Sequence, residues 1–233
     1  MERHRLATYP DPNRRPGQTG EQTSSLTQQL YACLKRDIVT CQIQPGLSVT
    51  EDWLCRKYGA SRTTVRHACL RLSKEELLQW VPQKGYSVTG ITIQDLNELF
   101  QFREILETAA AELACAAKSP ELIARAYELA KITYEAGNRD TFPAFVEVNH
   151  EFHCLIAEMS GNRRLCQQLT QVLVHFARFS YLTMAADSYG SDVMKEHERI
   201  LDAIRDGDVE AARTRSSRHM LQSKERAVRY FLG

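Results

Sequence analysis

The chain has no apolar run long enough to span a bilayer. Its longest apolar stretches, such as "LIARAYELA", are broken by charge well before the roughly 18 residues a membrane helix needs. The Arg-rich opening "MERHRLATYPDPNRRPG" has no apolar h-region of a secretory signal. These absences predict a soluble, cytoplasmic protein with no membrane partner. There is no CxxC pair either: the seven cysteines (33, 41, 55, 69, 115, 154, 166) form an odd, scattered set inside helical patterns. That argues against a disulfide framework or a cysteine-based zinc cluster, and for reduced, packed thiols. Net charge is nearly absent, at +1, but the balance is uneven along the chain. Residues 1–90 hold 13 Lys and Arg against 8 Asp and Glu, whereas residues 91–233 hold 17 against 21. The basic first third suits a segment that meets phosphate.

What is present is ordinary globular usage, 43% hydrophobic and 25% charged over 233 residues, enough for one large core or two modest ones. Residues 1–24 are rich in Pro, Gly, Gln, Thr and Arg with almost no apolar period, and read as a disordered basic arm. From Ser25, Leu26, Leu30, Leu34 and Ile38 recur at helical spacing, giving a first helix to about Thr40 that the Pro45-Gly46 turn follows. Thr50 with Glu51 and Asp52 behind it predicts a capped short helix ending near Tyr58-Gly59. Ser61 caps the next, "SRTTVRHACLRLS", and "LLQWVPQKGYSVT" alternates around a Pro and a Lys-Gly tip. Together these spell a helix-turn-helix with a two-stranded wing, over residues 25–90.

A recognition helix offers its N-terminal residues to base edges in the major groove. Arg62 and Arg66 lie one turn apart and reach out from one face. Arginine can bridge guanine O6 and N7, while Ser61 and Thr63 suit phosphate or thymine contacts. "PGLSVTEDWLCRKYGASRTTVRHACLRLSKEELL" resembles the winged head of the GntR family of bacterial transcription regulators. The matches include Pro45-Gly46, Glu51, Leu54, Gly59, Ser61-Arg62-Thr63, Val65-Arg66, Leu72, Leu77 and wing Gly85, beside Lys84 at the tip. The resemblance implies a double-stranded DNA operator, read by Ser61, Arg62, Thr63, Arg66, Lys84 and Gly85. The family usually carries Pro where Thr64 stands, Glu at His67, Leu at Cys69 and Gly at Glu76.

After Thr89 the pattern is helix upon helix: about 93–117, 120–137, 141–160, 162–186, 192–206 and 208–231. Six helices over residues 91–233 predict an all-α antiparallel bundle, so the whole chain is mainly α. On the first, Leu96, Leu99, Phe100, Leu106, Ala110 and Leu113 form the buried stripe, and Arg103 and Glu107 fall on it. Asn149 and His153 share the inward face of the third helix with Phe142, Phe145, Val146, Phe152, Ile156 and Met159. His197 lies within the stripe Val193, Met194, Ile200, Leu201 and Ile204; His219 lies on a face with Val209, Ala212, Ser216 and Ser223. One histidine on an apolar face reads as a hydrogen-bonded core residue. Three aimed inward are different, because packed imidazoles repel when protonated and leave nitrogens unpaired when neutral, whereas a divalent metal satisfies all three. Asn149 adds an amide oxygen.

"LFQFREILETAAAELA", "NHEFHCLIAEMSGN", "EHERILDAI" and "GDVEAARTRSSRHM" resemble the ligand-sensing FCD domain of the FadR-type branch. That resemblance implies a divalent metal (zinc, nickel or manganese) held by Asn149, His153, His197 and His219, with Asn where the family often has Asp. It further implies a small organic acid in the same cavity, its carboxylate clamped by Arg103. The resulting expectation is a homodimeric DNA-binding transcription regulator, not an enzyme, whose helical domain senses an acid through a metal. Two alternatives stand beside it: a metal-dependent enzyme using the histidine site, with Glu107 as the available base, and a metal-free regulator with a structural polar core.

Overall fold

The computed structural model describes residues 21–117, 119–135, 138–183 and 190–232. The chain divides between Gly90 and Ile91 into two compact units. Of the arm expected at 1–24, residues 1–20 lie outside the described residues, and residues 21–24 belong instead to the first helix, α1 (Glu21–Val39).

In the first unit, α1 buries Leu30, Leu34 and Ile38. The next helix, α2 (Glu51–Tyr58), begins where the Thr50 hydroxyl accepts the Trp53 N–H at 3.1 Å and ends at Gly59, whose φ of 62° is the left-handed C-cap that glycine enters at least cost. Helix α3 (Arg62–Lys74) is capped by Ser61, whose hydroxyl accepts the Thr64 N–H at 3.2 Å. It buries Val65, Ala68, Cys69 and Leu72 and leaves Arg62, Thr63 and Arg66 in solvent. The wing has three strands rather than two. Besides β2 (Leu78–Val81) and β3 (Gly85–Val88), the two-residue β1 (Ser48–Val49) pairs antiparallel with β3, in the order β1-β3-β2. A strand that short has no alternation to read. It accounts for Gly85: at φ 95° a Cβ there would lie 2.7 Å from the Val49 carbonyl oxygen.

The second unit contains, among the described residues, helices α4 (Ile93–Ala117), α5 (Pro120–Ala130), α6 (Phe142–Met159), α7 (Arg163–Thr183), α8 (Gly190–Asp206) and α9 (Val209–Leu232), with a 3-10 turn at Arg139–Thr141 before α6. On α4, Ala110, Ala111 and Ala114 are fully buried, and this run of small side chains lets α6, α7, α8 and α9 all pack against one helix. The second helix of the bundle stops at Ala130, short of the expected 137. β-Branched Ile132 and Thr133 follow, and Tyr134 turns back into the core against Phe142 and Phe145. Two stripe assignments are corrected: Leu113 is 44% exposed and Val209 48%. The alanines at 111 and 114 take the inward positions instead of Leu113, and Val209 is the first residue of its helix. All seven cysteines are free thiols.

Candidate functional site

Four helices of the helical unit aim charged or titratable side chains inward at one place. Arg103 and Glu107 come from α4, His153 from α6, Glu196 and His197 from α8, and His219 from α9; every one is buried. One ring nitrogen from each of His153, His197 and His219 lies within 4.8 Å of the others. His197 is fixed by stacking on Phe152, with ring centroids 3.9 Å apart and planes 15° from parallel.

Two of the imidazoles are oriented by carboxylates. Glu107 Oε2 lies 2.7 Å from His153 Nδ1, and Glu196 Oε2 lies 2.6 Å from His219 Nδ1. Each carboxylate is in turn held by an arginine. Arg103 Nε donates to Glu107 Oε1 at 2.7 Å, and its guanidinium carbon sits 3.9 Å from the centroid of the Phe176 ring. Arg226 forks onto both oxygens of Glu196 at 2.8 and 2.9 Å. An arginine–carboxylate–histidine chain of this kind fixes the imidazole's orientation and raises its basicity as a ligand.

Burial and charge set the protonation states. Burial pushes His153 down to about 4, outweighing the opposing pull of Glu107. It also holds His197 well below the usual histidine range, helped by His219 and His153. Burial alone would raise Glu107, but Arg103 and His153 bring it down to about 2. Glu196 likewise falls to about 2, because the hydrogen bonds from Arg226 and His219 overcome its desolvation. His153 and His197 are therefore neutral near pH 7, the form that ligates metal. Yet Nε2 of both is buried with no hydrogen-bond partner among the described residues. An unpaired buried imidazole nitrogen costs about 1–3 kcal/mol, and two of them in one cluster of three histidines make a donor set that suits a divalent cation.

The cluster opens on a small cavity of about 50 Å3. Asn149, His153, His219, Arg103 and Arg226 line it, with aromatic walls from Phe145, Phe176 and Phe179 and hydroxyls from Ser180, Thr183 and Ser223. Nη1 of Arg103 is buried without an acceptor. Arg103, which lines the cavity, thus keeps a donor that no group among the described residues uses.

The winged unit presents a second polar surface. Arg62 and Arg66 are 67% and 63% exposed and project from the first turns of α3. Each meets an acid from the first turn of α2: Arg62 Nη2 lies 2.8 Å from Asp52 Oδ1, and Arg66 Nε donates to Glu51 Oε1 at 2.8 Å. Lys84 is exposed in the turn of the wing.

Residues 26–88 match the model of the bacterial regulatory proteins of the gntR family, and residues 98–222 match the FCD domain. The uncharacterized HTH-type transcriptional regulator YdhC of Bacillus subtilis is 30% identical over 190 residues, spanning 79% of this chain and 83% of that protein. The HTH-type transcriptional repressor RspR of Escherichia coli is 25% identical over 206 residues, 87% and 89% of the two chains. Among solved structures, E. coli McbR/YncC superposes with a TM-score of 0.71 at 23% identity, covering 88% of this chain and 98% of that one, a likeness of fold. The chain belongs to the GntR family. It is a DNA-binding transcription regulator with an FCD domain, and the enzyme alternative falls away with that membership. No described helix is long and apolar enough to cross a membrane.

In this GntR-family chain the helical fold brings His153, His197 and His219 together and sets Asn149, half-buried, beside them on the cavity wall. Arg103 lines the same cavity. Of the winged-head residues, Arg62, Thr63, Arg66 and Lys84 are exposed, whereas the Ser61 hydroxyl is engaged in capping α3 and Gly85 has a steric reason to be glycine. Sequence reasoning missed Glu196 and Arg226. Both carried a signal: Glu196 stands three residues after Val193 and four before Ile200, on the core stripe, and Arg226 stands seven after His219.

Proposed function

We propose that the FCD domain of this regulator binds a divalent metal through His153, His197 and His219, with the Asn149 amide oxygen as a further ligand. The metal and Arg103 together receive a small organic acid that modulates operator affinity. The observation that carries this reading is the pair of buried, neutral imidazoles whose Nε2 atoms have no partner among the described residues, within a set of three converging histidine nitrogens. Zinc, nickel and manganese all accept imidazole and oxygen donors. When bound, the cation would supply Lewis acidity toward a carboxylate. The chain's own residues orient the ligands through Glu107 and Glu196, and present the unpaired Arg103 Nη1 to an anion.

The same reading places the protein in the cytoplasm as a homodimer on a two-fold operator. On α4, Phe102, Ile105 and Leu113 are 41%, 66% and 44% exposed, an apolar stripe on the side opposite Arg103 and Glu107, which suits a second copy. An acid-induced change in the FCD domain would then alter the spacing of the two winged heads.

The test is elemental analysis of chelator-free protein, followed by zinc, nickel and manganese titration of wild type and His197→Ala. Stoichiometric metal, or a metal-induced thermal shift that the variant loses, is the expected result. If no metal is present and none of the three ions shifts the melting of the wild type, the polar core is structural and the metal reading is wrong.

A further inference from the structure

Arg62 and Arg66 are both paired with acids of α2, but the two pairs differ in kind. Glu51 is only 17% exposed and takes Arg66 through Nε, so neither terminal nitrogen of the guanidinium fork is used in the pair. That arrangement positions Arg66 for a bidentate contact with guanine O6 and N7. Asp52 is 59% exposed and takes Arg62 through Nη2, one of the nitrogens a base or phosphate would need. Helix stability does not require Asp52 there, because the Thr50 cap and Glu51 already complement the N-terminus of α2.

We propose that Asp52 is a specificity-determining residue of the DNA face, acting in two ways. Without a cognate site, its carboxylate holds Arg62 and repels nearby phosphates, which lowers affinity for arbitrary duplex. On the operator it accepts a hydrogen bond from an exocyclic amino group, cytosine N4 or adenine N6, beside the base or phosphate that Arg62 contacts. An ionised carboxylate only accepts. Guanine O6 or thymine O4 at that position therefore faces lone pairs with lone pairs, while cytosine or adenine compensates the cost of releasing Arg62. This discrimination lies outside the recognition helix and adds to whatever Arg66 reads.

The experiment uses full-length wild type, Asp52→Ala and the nearly isosteric Asp52→Asn, with circular dichroism to verify the helical content of each. Affinity for a random-sequence duplex is measured by fluorescence anisotropy across a sodium chloride series, and base preference by selection from a randomised duplex library. Asp52→Ala should bind random duplex about 3- to 10-fold more tightly at low salt, with the advantage shrinking as salt screens the charge. The wild type should select cytosine or adenine at one position per half-site; Asp52→Ala should lose that preference, and Asp52→Asn should extend it to guanine or thymine because an amide also donates. Unchanged or weaker random-duplex binding by Asp52→Ala overturns the proposal. So does a gain in affinity accompanied by an unaltered base preference.

Discussion

Exchanging Glu107 for Gln replaces one carboxylate oxygen by an amide at the point where α4 is tied to both the histidine cluster and the cavity arginine. In the wild type, one oxygen accepts from Arg103 and the other meets His153 Nδ1, each at 2.7 Å. Glutamine has a single acceptor oxygen, so its NH2 group must confront one of these two donors. If His153 loses its acceptor, the orphaned N–H costs about 1–3 kcal/mol. In either orientation the Arg103 guanidinium, 1% exposed, loses its counter-charge, and breaking a buried ion pair costs about 3–5 kcal/mol. A loss of ~3 kcal/mol lowers the melting midpoint of a unit this size by about 6–12 °C. On the metal reading, loss of the orienting carboxylate should also weaken zinc binding about 10- to 100-fold. Denaturant titration of chelator-treated protein gives the first quantity, and competition with a zinc-sensitive dye gives the second. Unchanged stability would refute the assignment of Glu107 as the counter-charge of Arg103. Unchanged zinc affinity in a folded, destabilised variant would refute its role in orienting His153.

Other outcomes follow from single features. Glu76 sits at φ 58°, where the family usually carries glycine, so Glu76→Gly should stabilise the winged unit by about 0.5–1 kcal/mol, read from denaturant midpoints; a lower midpoint would show that Glu76 is unstrained. In metal-free protein, His153 titrates at about 4 when folded and near 6.5 when unfolded. The unfolded chain takes up the proton first, so this contribution is complete above about pH 6.5 and declines toward pH 4, with a slope of at most ~1.4 kcal/mol per unit. Urea titrations at pH 7.5, 6 and 5 check it, and a flat profile would contradict the buried neutral histidine. Arg66→Ala should cost roughly 1–3 kcal/mol of operator binding in a gel-shift titration while the helical unit keeps its melting midpoint; unchanged affinity would remove Arg66 from the DNA face.

Local chemistry made much of this protein legible. The Thr50 and Ser61 caps, the Gly59 stop and the 3.6-residue period of α6 and α8 are short-range statements, and each appears where periodicity and capping put it. The inward aim of His153, His197 and His219 followed from the same period, because a residue on an apolar stripe goes where the stripe goes. What needed the tertiary structure is everything decided between helices. That Glu107 would serve His153 and Arg103 at once, and that Glu196 would be claimed by His219 and Arg226 of α9, depends on which helix packs against which. The wing's first strand, too short to carry a pattern, exists only because β3 lies beside it. The partners of Arg62 and Arg66 likewise come from α2, brought alongside by the turn at Gly59. A sequence period specifies the direction in which a side chain leaves its own helix; it says nothing about what the neighbouring element places in its path, and in this protein that neighbour sets the charge, the hydrogen bonding and the chemistry of both polar sites.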